Sequence, residues 1–167
     1  FQLVAAMNPC PCGWAGDPSG RCRCHPEAIQ RYRGKISGPL LERIDLHVEV
    51  PRLEYAALGP SSAAIESSAI VAARVAAARE RQQHRGALNC LLELRVLASA
   101  CGLGMREHGL LDAASRRLGL SARACHRILR VARTIADLAG RQQVEIAELS
   151  EAIGYRRLDR EPQAAAG

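Results

Sequence analysis

The pattern of hydrophobic and polar positions begins with short elements. Residues 2–7 are a continuous apolar run, which is typical of a buried strand in a parallel sheet. Residues 45–50 alternate apolar and polar side chains, which predicts a half-buried strand. Pro, Gly, Asp and Cys dominate residues 8–26, which indicates a loop. Two short helices are predicted between the strands, one from Pro26 through Tyr32 towards Ile36 and one over Leu40 to Ile44.

Beyond a Pro-Ser-Ser boundary at residues 60–62, the pattern is almost entirely helical. Ser61 or Ser62 can cap an Ala-rich helix that ends near Arg85, because a serine hydroxyl accepts from free N–H groups at a helix start. Glycines separate the later helices, as expected for a residue favoured at helix C termini. Four more helices are predicted, over about residues 90–101, 107–118, 121–139 and 146–153.

The pattern predicts an α/β fragment followed by an all-α domain, with mostly helical content overall. We assign residues 1–60 to the α/β part and residues 61–160 to the helical domain. Residues 161–167 are rich in Pro and Ala and are expected to form a disordered tail. The chain starts with an apolar run and no initiating Met, so we expect it to be a segment from inside a larger protein.

Composition favours a globular protein with a polyanionic partner. The 167 residues are 48% hydrophobic and 24% charged, which is typical of soluble globular proteins. Aromatic residues make up only 3%, which predicts an aliphatic core and disfavours a single-strand binder that stacks bases on several aromatic rings. The net charge of +6 favours partners such as nucleotides or DNA. No window approaches the ~20 apolar residues that span a bilayer, so no membrane partner is expected.

Cysteine usage indicates a reducing compartment. The chain has seven cysteines, an odd number, and three of them lie inside predicted helices: Cys90, Cys101 and Cys125. A secreted disulfide framework normally uses an even number of cysteines in loops. We therefore expect a cytoplasmic protein.

Four cysteines in the first loop have the character of metal ligands. Cys10 and Cys12 are separated by nine residues from Cys22 and Cys24. Four thiolates on a flexible loop can satisfy tetrahedral Zn²⁺, and the ion would hold together a loop that has little core. The C-x-C spacing is less common than C-x-x-C, so reduced thiols or a redox-sensitive pair stay as alternatives. No open ligand set indicates a catalytic metal.

Two polar residues stand at positions where a ligand could be contacted. Asn8 follows the first predicted strand, and α/β folds bind ligands beyond the carboxyl ends of their strands. A simple turn residue before proline is the favoured alternative. Arg43 lies between a short apolar helix and a strand, which suits a contact to phosphate on a neighbouring subunit. On spacing alone, a surface ion pair with Glu42 or Asp45 is favoured.

The fourth helix of the predicted all-α domain has a positive face. Arg123, Arg127 and Arg130 are spaced by four and three residues, so they form one stripe that can face a phosphate or solvent. Arg123 lies in the first turn, where backbone N–H groups and the helix dipole attract anions. Residues 110–135 also resemble a helix-turn-helix with Gly119 at the turn. DNA binding through Arg127 and Arg130 is therefore an alternative to two packed helices.

Together, these segments resemble the magnesium-chelatase-like AAA+ ATPases of the ComM/YifB type. The resemblance covers nearly the whole chain apart from the tail, and the combination and order of the motifs make it specific. The matching stretches are FQLVAAMNPCPCG at 1–13, RY at 31–32, ISGPLLERIDL at 36–46 and LSARACHRILRVARTIADL at 120–138.

The resemblance implies roles for individual residues. Residues up to about Arg52 would be the end of an α/β ATPase core, and residues from about Ser61 would be the helical lid. Asn8 would be the sensor 1 residue that positions the attacking water. Arg43, in a Leu-Leu-x-Arg-x-Asp pattern, would be an arginine finger that acts on a neighbouring subunit. Arg123 would be the sensor 2 residue that contacts the γ-phosphate of bound ATP.

The resemblance also implies an activity. The protein would be a homohexameric motor, assembled through its ATPase core, that uses ATP and Mg²⁺ for DNA branch migration in recombination and natural transformation. A magnesium-chelatase-type ATPase subunit and a non-enzymatic helix-turn-helix DNA-binding module are the alternatives. The chain has no G-x-x-x-x-G-K-[ST] loop, so we expect the phosphate- and Mg²⁺-binding parts to precede Phe1. The chain alone should then be inactive as an ATPase.

Overall fold

The computed structural model describes residues 2–51 and 66–156, and the chain divides into two compact units. The first unit ends at Glu42 and the second begins at Arg43. Every regular element in the described ranges is helical. The α-helices are α1 (Pro26–Arg33), α2 (Gly38–Arg43), α3 (Ser68–His84), α4 (Leu94–Cys101), α5 (Met105–Leu118), α6 (Ala122–Leu138) and α7 (Ile146–Gly154), and a 3-10 turn spans Asn89–Leu91.

The two predicted strands are absent from the described residues, and this corrects the prediction made from the pattern. Residues 2–7 are exposed and have no regular secondary structure. Residues 45–50 also have no regular secondary structure. Their burial is the reverse of the predicted pattern, because polar His47 is buried while apolar Leu46 and Val48 are exposed. A strand exists only when a neighbouring strand accepts and donates its backbone hydrogen bonds. The described residues supply no such neighbour, so the α/β part remains a prediction.

Most helix ends agree with the local signals. Ser121 caps α6, and its hydroxyl accepts from the Ala124 N–H at 3.2 Å. Gly119 ends α5 with φ +61, a left-handed conformation that glycine adopts without steric cost. The described start of α3 is Ser68, capped by Ser67. The predicted caps Ser61 and Ser62 lie outside the described residues.

The predicted helix over residues 90–101 is divided into two elements. Leu92 and Glu93 have extended backbone conformations between the 3-10 turn and α4. The side chain of Leu92 is buried in the core at this break. Burial of this leucine is a tertiary effect, which explains why the local pattern predicted one continuous helix.

The core of the second unit is aliphatic, as the low aromatic content predicted, and it forms around α6. This helix contacts α3, α4, α7 and the 3-10 turn. Ala132 and Ala136 are fully buried, and such small side chains allow neighbouring helices to approach closely. The buried cluster comprises Leu92, Leu97, Cys101, Ala114, Ile128, Ala132, Ala136, Val144, Leu149, Ala152 and Ile153.

The described part of the first unit has almost no apolar core. Cys10 is its one buried side chain, and neither α1 nor α2 buries a residue. Turn hydrogen bonds organise the cysteine loop, with Gly13 N–H donating to the Cys10 carbonyl at 3.0 Å and Asp17 N–H to the Trp14 carbonyl at 3.1 Å. Hydrophobic burial therefore contributes little to the stability of this loop.

Two predictions fall on residues that the structure does not describe. The predicted boundary at residues 60–62 and the predicted tail at residues 161–167 both lie outside the described ranges. Within those ranges, no helix combines the length and apolar character that a bilayer span requires.

Candidate functional site

The four cysteines of the first loop converge in the structure. Their Sγ atoms all lie within 4.8 Å of one another. Cys10 Sγ is 3.3 Å from Cys12 Sγ and 3.8 Å from Cys22 Sγ, and Cys12 Sγ is 3.7 Å from Cys22 Sγ. All four are free thiols, as are the other cysteines of the chain. The cluster, completed by Cys24, is the group of ligand-type side chains in the described residues that could hold a metal ion.

Backbone N–H groups approach the sulfur atoms of this cluster. The N–H of Ala15 donates to Cys10 Sγ at 3.3 Å. The N–H of Trp14 makes hydrogen bonds to both Cys10 and Cys12. A turn follows directly after Cys12, and it points successive N–H groups back at the preceding thiols.

The thiols differ in acidity because their hydrogen bonds differ. Burial raises the pKa of Cys10, but hydrogen bonds from Cys12 and from the N–H groups of Ala15 and Trp14 outweigh it and lower the pKa to about 6. The Trp14 N–H also lowers the pKa of Cys12. The hydrogen bond to Cys12 raises the pKa of Cys24 to about 12. The pKa is thus lowered for Cys10 and Cys12 and raised for Cys22 and Cys24.

Asn8 lies next to the cysteine cluster and is exposed. Its side chain is 3.8 Å from the position that a Cβ on Gly13 would occupy. The carbonyl of the following residue, Pro9, accepts from Nε of Arg33 at 3.1 Å. The structure therefore ties the segment after Asn8 to α1. The sensor 1 role of Asn8 stays a prediction.

Arg43 and Arg123 belong to the second unit. Arg43 is the last residue of α2, and its side chain is exposed. Arg123 is in the first turn of α6, is also exposed, and follows the cap formed by Ser121. Both positions allow contact with a phosphate that approaches from outside the described residues. The arginine finger and sensor 2 roles stay predictions.

The other two arginines of the predicted stripe have partners inside the second unit. Arg127 Nη1 donates to the Asp45 carboxylate. Arg130 Nη2 donates to the Leu92 carbonyl at 3.2 Å. Both side chains are half-buried, whereas Arg123 is exposed. These contacts give Arg127 and Arg130 a structural explanation, and their DNA-binding role stays an alternative prediction.

Sequence reasoning missed a buried polar network on α6. Arg133 and Asp137 are both fully buried, and Arg133 Nη2 lies 3.0 Å from Asp137 Oδ1. Arg133 also donates to the carbonyls of Ala100, Arg141 and Gln142 at 2.9, 2.6 and 2.7 Å. A buried charge is costly unless it is paired and hydrogen-bonded, and both Nη atoms of Arg133 have such partners. Arg133 thereby joins the end of α4 to the segment that follows α6.

The same carboxylate connects α6 to α3 and to the 3-10 turn. Arg85 Nη1 donates to Asp137 Oδ1 at 2.8 Å, and Asn89 Nδ2 donates to Asp137 Oδ2 at 2.8 Å. Asn89 Nδ2 also lies 3.0 Å from the hydroxyl of Thr134. One sequence feature could have indicated this network: Arg133 and Asp137 are four residues apart, beside the apolar stripe of α6.

Comparisons with known proteins place the chain in a family. The model described as magnesium chelatase, subunit ChlI, matches residues 1–58, and the model described as magnesium chelatase, subunit ChlI C-terminal, matches residues 65–156. The chain is 44% identical over 162 residues to Competence protein ComM of Haemophilus influenzae, covering 96% of this chain and 31% of the relative. It is 44% identical to YifB of Salmonella typhimurium and 43% identical to YifB of Escherichia coli, both named uncharacterized, with the same coverage.

The chain thus spans about a third of the length of these relatives. The C-terminal model by itself matches more than half of the chain. The resemblance found in the sequence is confirmed: the chain is similar to ComM and YifB over 96% of its length, and it belongs to the magnesium chelatase ChlI family.

Proposed function

We propose that this chain is part of an ATP-driven AAA+ motor that acts on branched DNA in recombination and natural transformation. The observation that carries the proposal is the 44% identity over 162 residues to a relative named as a competence protein. The two family models, which match residues 1–58 and 65–156, support an ATPase-related origin for both parts of the chain. The whole protein would be longer than this chain and would supply the remaining nucleotide-binding motifs.

In this proposal, the two parts of the chain have different tasks. Residues 1–60 form the end of an α/β ATPase core, and residues 61–160 form the helical lid. The strands of the core would need neighbours from the rest of the protein, which agrees with the lack of strand partners among the described residues. The complete core would assemble six copies into a ring. ATP and Mg²⁺ are the cofactors.

The proposed chemistry is electrostatic stabilisation of the transferring phosphoryl group. Asn8 would orient the attacking water through its neutral amide. Arg43 would reach the nucleotide of a neighbouring subunit, and Arg123 would contact the γ-phosphate from the lid of its own subunit. Both arginines are exposed, and a planar guanidinium can donate two hydrogen bonds to a phosphate. Positive charge placed where negative charge develops lowers the barrier to hydrolysis.

The four-cysteine cluster has no part in this ATP chemistry. Four thiolates close the coordination sphere of a tetrahedral ion and leave no position for a substrate.

All seven cysteines are free thiols, which supports the cytoplasm as the location.

A magnesium-chelatase-type ATPase subunit is the second candidate function. The descriptions of both matching family models favour it. The two candidates share the ATPase chemistry and differ in the substrate, so the response of hydrolysis to DNA separates them.

The first test measures ATP hydrolysis by the full-length protein, with and without branched DNA, at one fixed salt concentration. We expect branched DNA to stimulate turnover. Hydrolysis that ignores DNA would favour the chelatase candidate. Absence of hydrolysis combined with DNA binding would favour the helix-turn-helix module, with Arg127 and Arg130 as the first residues to change.

Arginine variants then test the roles of individual residues. We expect Arg43→Ala to reduce turnover by about 10³- to 10⁵-fold while ATP binding is retained, as for the loss of an arginine finger. Arg123→Ala should lower both turnover and nucleotide affinity. The matched control is Arg106→Ala, which removes an exposed arginine from α5 and should behave like the wild type. Wild-type turnover in Arg43→Ala would contradict the assignment of that residue.

A further inference from the structure

We propose that Cys10, Cys12, Cys22 and Cys24 bind one Zn²⁺ ion, which acts as the structural centre of the first unit. The proposal stands on the geometry and chemistry of the cysteine loop. It does not depend on ATP hydrolysis or DNA binding.

The sulfur positions fit a tetrahedral ion. Zn–S bonds of about 2.3 Å in tetrahedral geometry place the sulfur atoms about 3.8 Å apart. The Cys10–Cys22 and Cys12–Cys22 separations are 3.8 and 3.7 Å. The Cys10–Cys12 separation is 3.3 Å, so this pair would move apart by a few tenths of an ångström on binding. A disulfide would draw two sulfur atoms together, but here all four converge within 4.8 Å.

The turn after Cys12 provides the support that metal-bound sulfur requires. Gly13 has φ +81, which lets the chain reverse directly behind the second cysteine. The N–H groups of Trp14 and Ala15 then point at the sulfur atoms, and the Ala15 N–H lies 3.3 Å from Cys10 Sγ. Hydrogen bonds of this kind stabilise thiolates and orient metal ligands.

The loop closes on itself through a second contact. The guanidinium carbon of Arg21 lies 4.9 Å from the centre of the Trp14 ring, which joins the segment after Cys12 to the segment before Cys22. A cation over an aromatic ring is a favourable but modest interaction. This contact links the two ends of the loop between the cysteine pairs, and the ion would supply the main crosslink.

The first unit needs such a crosslink because burial does not hold it. Among its described residues Cys10 alone is buried, so ordering the loop costs conformational entropy that apolar contacts do not offset. Small domains with little core commonly depend on a structural metal. An all-sulfur ligand set selects Zn²⁺ over Mg²⁺ or Ca²⁺, which prefer oxygen.

The test measures metal content in the chain purified under reducing conditions from cells grown with zinc. We expect one zinc per chain by elemental mass spectrometry. The double substitution Cys12→Ser and Cys24→Ser should remove the zinc, while Cys90→Ser, which changes an exposed cysteine outside the cluster, should retain it. Zinc content that is unchanged in the double variant would overturn the proposal.

A second measurement on the wild-type chain guards against a variant that simply fails to fold. Replacing the metal with Co²⁺ should give the visible absorption bands of a tetrahedral cobalt thiolate centre. Trp14 is the only tryptophan in the chain and adjoins the cluster, so its fluorescence should change with the same stoichiometry of one. A zinc-free wild-type chain that gives neither signal with Co²⁺ would also overturn the proposal.

Discussion

The seven cysteines carry the same thiol, but their surroundings give them different chemistry. The pKa of Cys10 is lowered to about 6, because hydrogen bonds from Cys12 and from the N–H groups of Ala15 and Trp14 outweigh burial. Cys101 lies at the end of α4 inside the aliphatic core, where its Sγ is 3.7 Å from the Leu129 carbonyl. Burial raises the pKa of Cys101 to about 11, because an apolar environment disfavours the thiolate. Cys90 is exposed on the 3-10 turn.

This contrast predicts selective alkylation. The thiolate is the reactive form, so Cys101 in the folded chain should resist iodoacetamide at pH 8, while Cys90 should react. After unfolding in urea, both should react at similar rates. Peptide mass spectrometry measures the extent of labelling at each position. Comparable labelling of the two cysteines in the folded chain would show that Cys101 is more accessible than its burial indicates.

Helix α6 organises the second unit through both apolar and polar contacts. Its alanines allow close packing, and its buried Arg133 and Asp137 connect it to the neighbouring elements. Removing one partner of a buried ion pair leaves an uncompensated charge, which costs far more than losing an exposed pair. The network therefore makes α6 sensitive to substitution at positions that look like ordinary charged residues in the sequence.

We expect Asp137→Ala to lower the free energy of unfolding by about 3–5 kcal/mol, because Arg133 would remain buried without its carboxylate partner. The matched control is Asp112→Ala on α5, which breaks an exposed pair with Arg116 four residues away. That change should cost no more than about 0.5 kcal/mol. Urea unfolding followed by circular dichroism at 222 nm measures both. Equal effects of the two substitutions would refute the structural role of the network.

The chain consists of two units, and different interactions stabilise the inside of each one. The second unit has an aliphatic core with buried polar pairs, whereas the described part of the first unit has the cysteine cluster and almost no burial. Helices α3 to α7 all belong to the second unit and contain most of the helical residues described. Metal removal should therefore affect the first unit, which contains the cysteine cluster, whereas unfolding by denaturant should mainly disrupt the aliphatic core of the second unit.

Chelation provides the corresponding test. A strong zinc chelator should change the fluorescence of Trp14 but shift the thermal midpoint of the 222 nm signal by no more than a few degrees, because the aliphatic core contains no metal ligand from the cluster. The double cysteine variant, treated in the same way, is the control for effects of the chelator itself. A large loss of helical signal on chelation would mean that the second unit depends on the metal.

Local sequence signals were sufficient for most of the helices and for the family. Ser121, Gly119 and the apolar stripe of α6 are encoded within a few residues of one another, so the span of this helix could be predicted without tertiary information. The family resemblance rests on motifs in the same order, and the comparisons confirmed it. The spacing of the four cysteines was enough to nominate them as possible ligands.

Three features depended on the tertiary structure, because each requires partners that are distant in sequence. Strands need neighbouring strands, and residues 2–7 and 45–50 have none in the described chain. The ion pair of Asp137 with Arg85 joins residues 52 positions apart, which no helical periodicity reveals. The convergence of the cysteine sulfur atoms brings Cys10 to Cys22, which lies 12 positions further along the chain. The sequence by itself thus determined helix spans and family, whereas burial and long-range pairing were decided by packing.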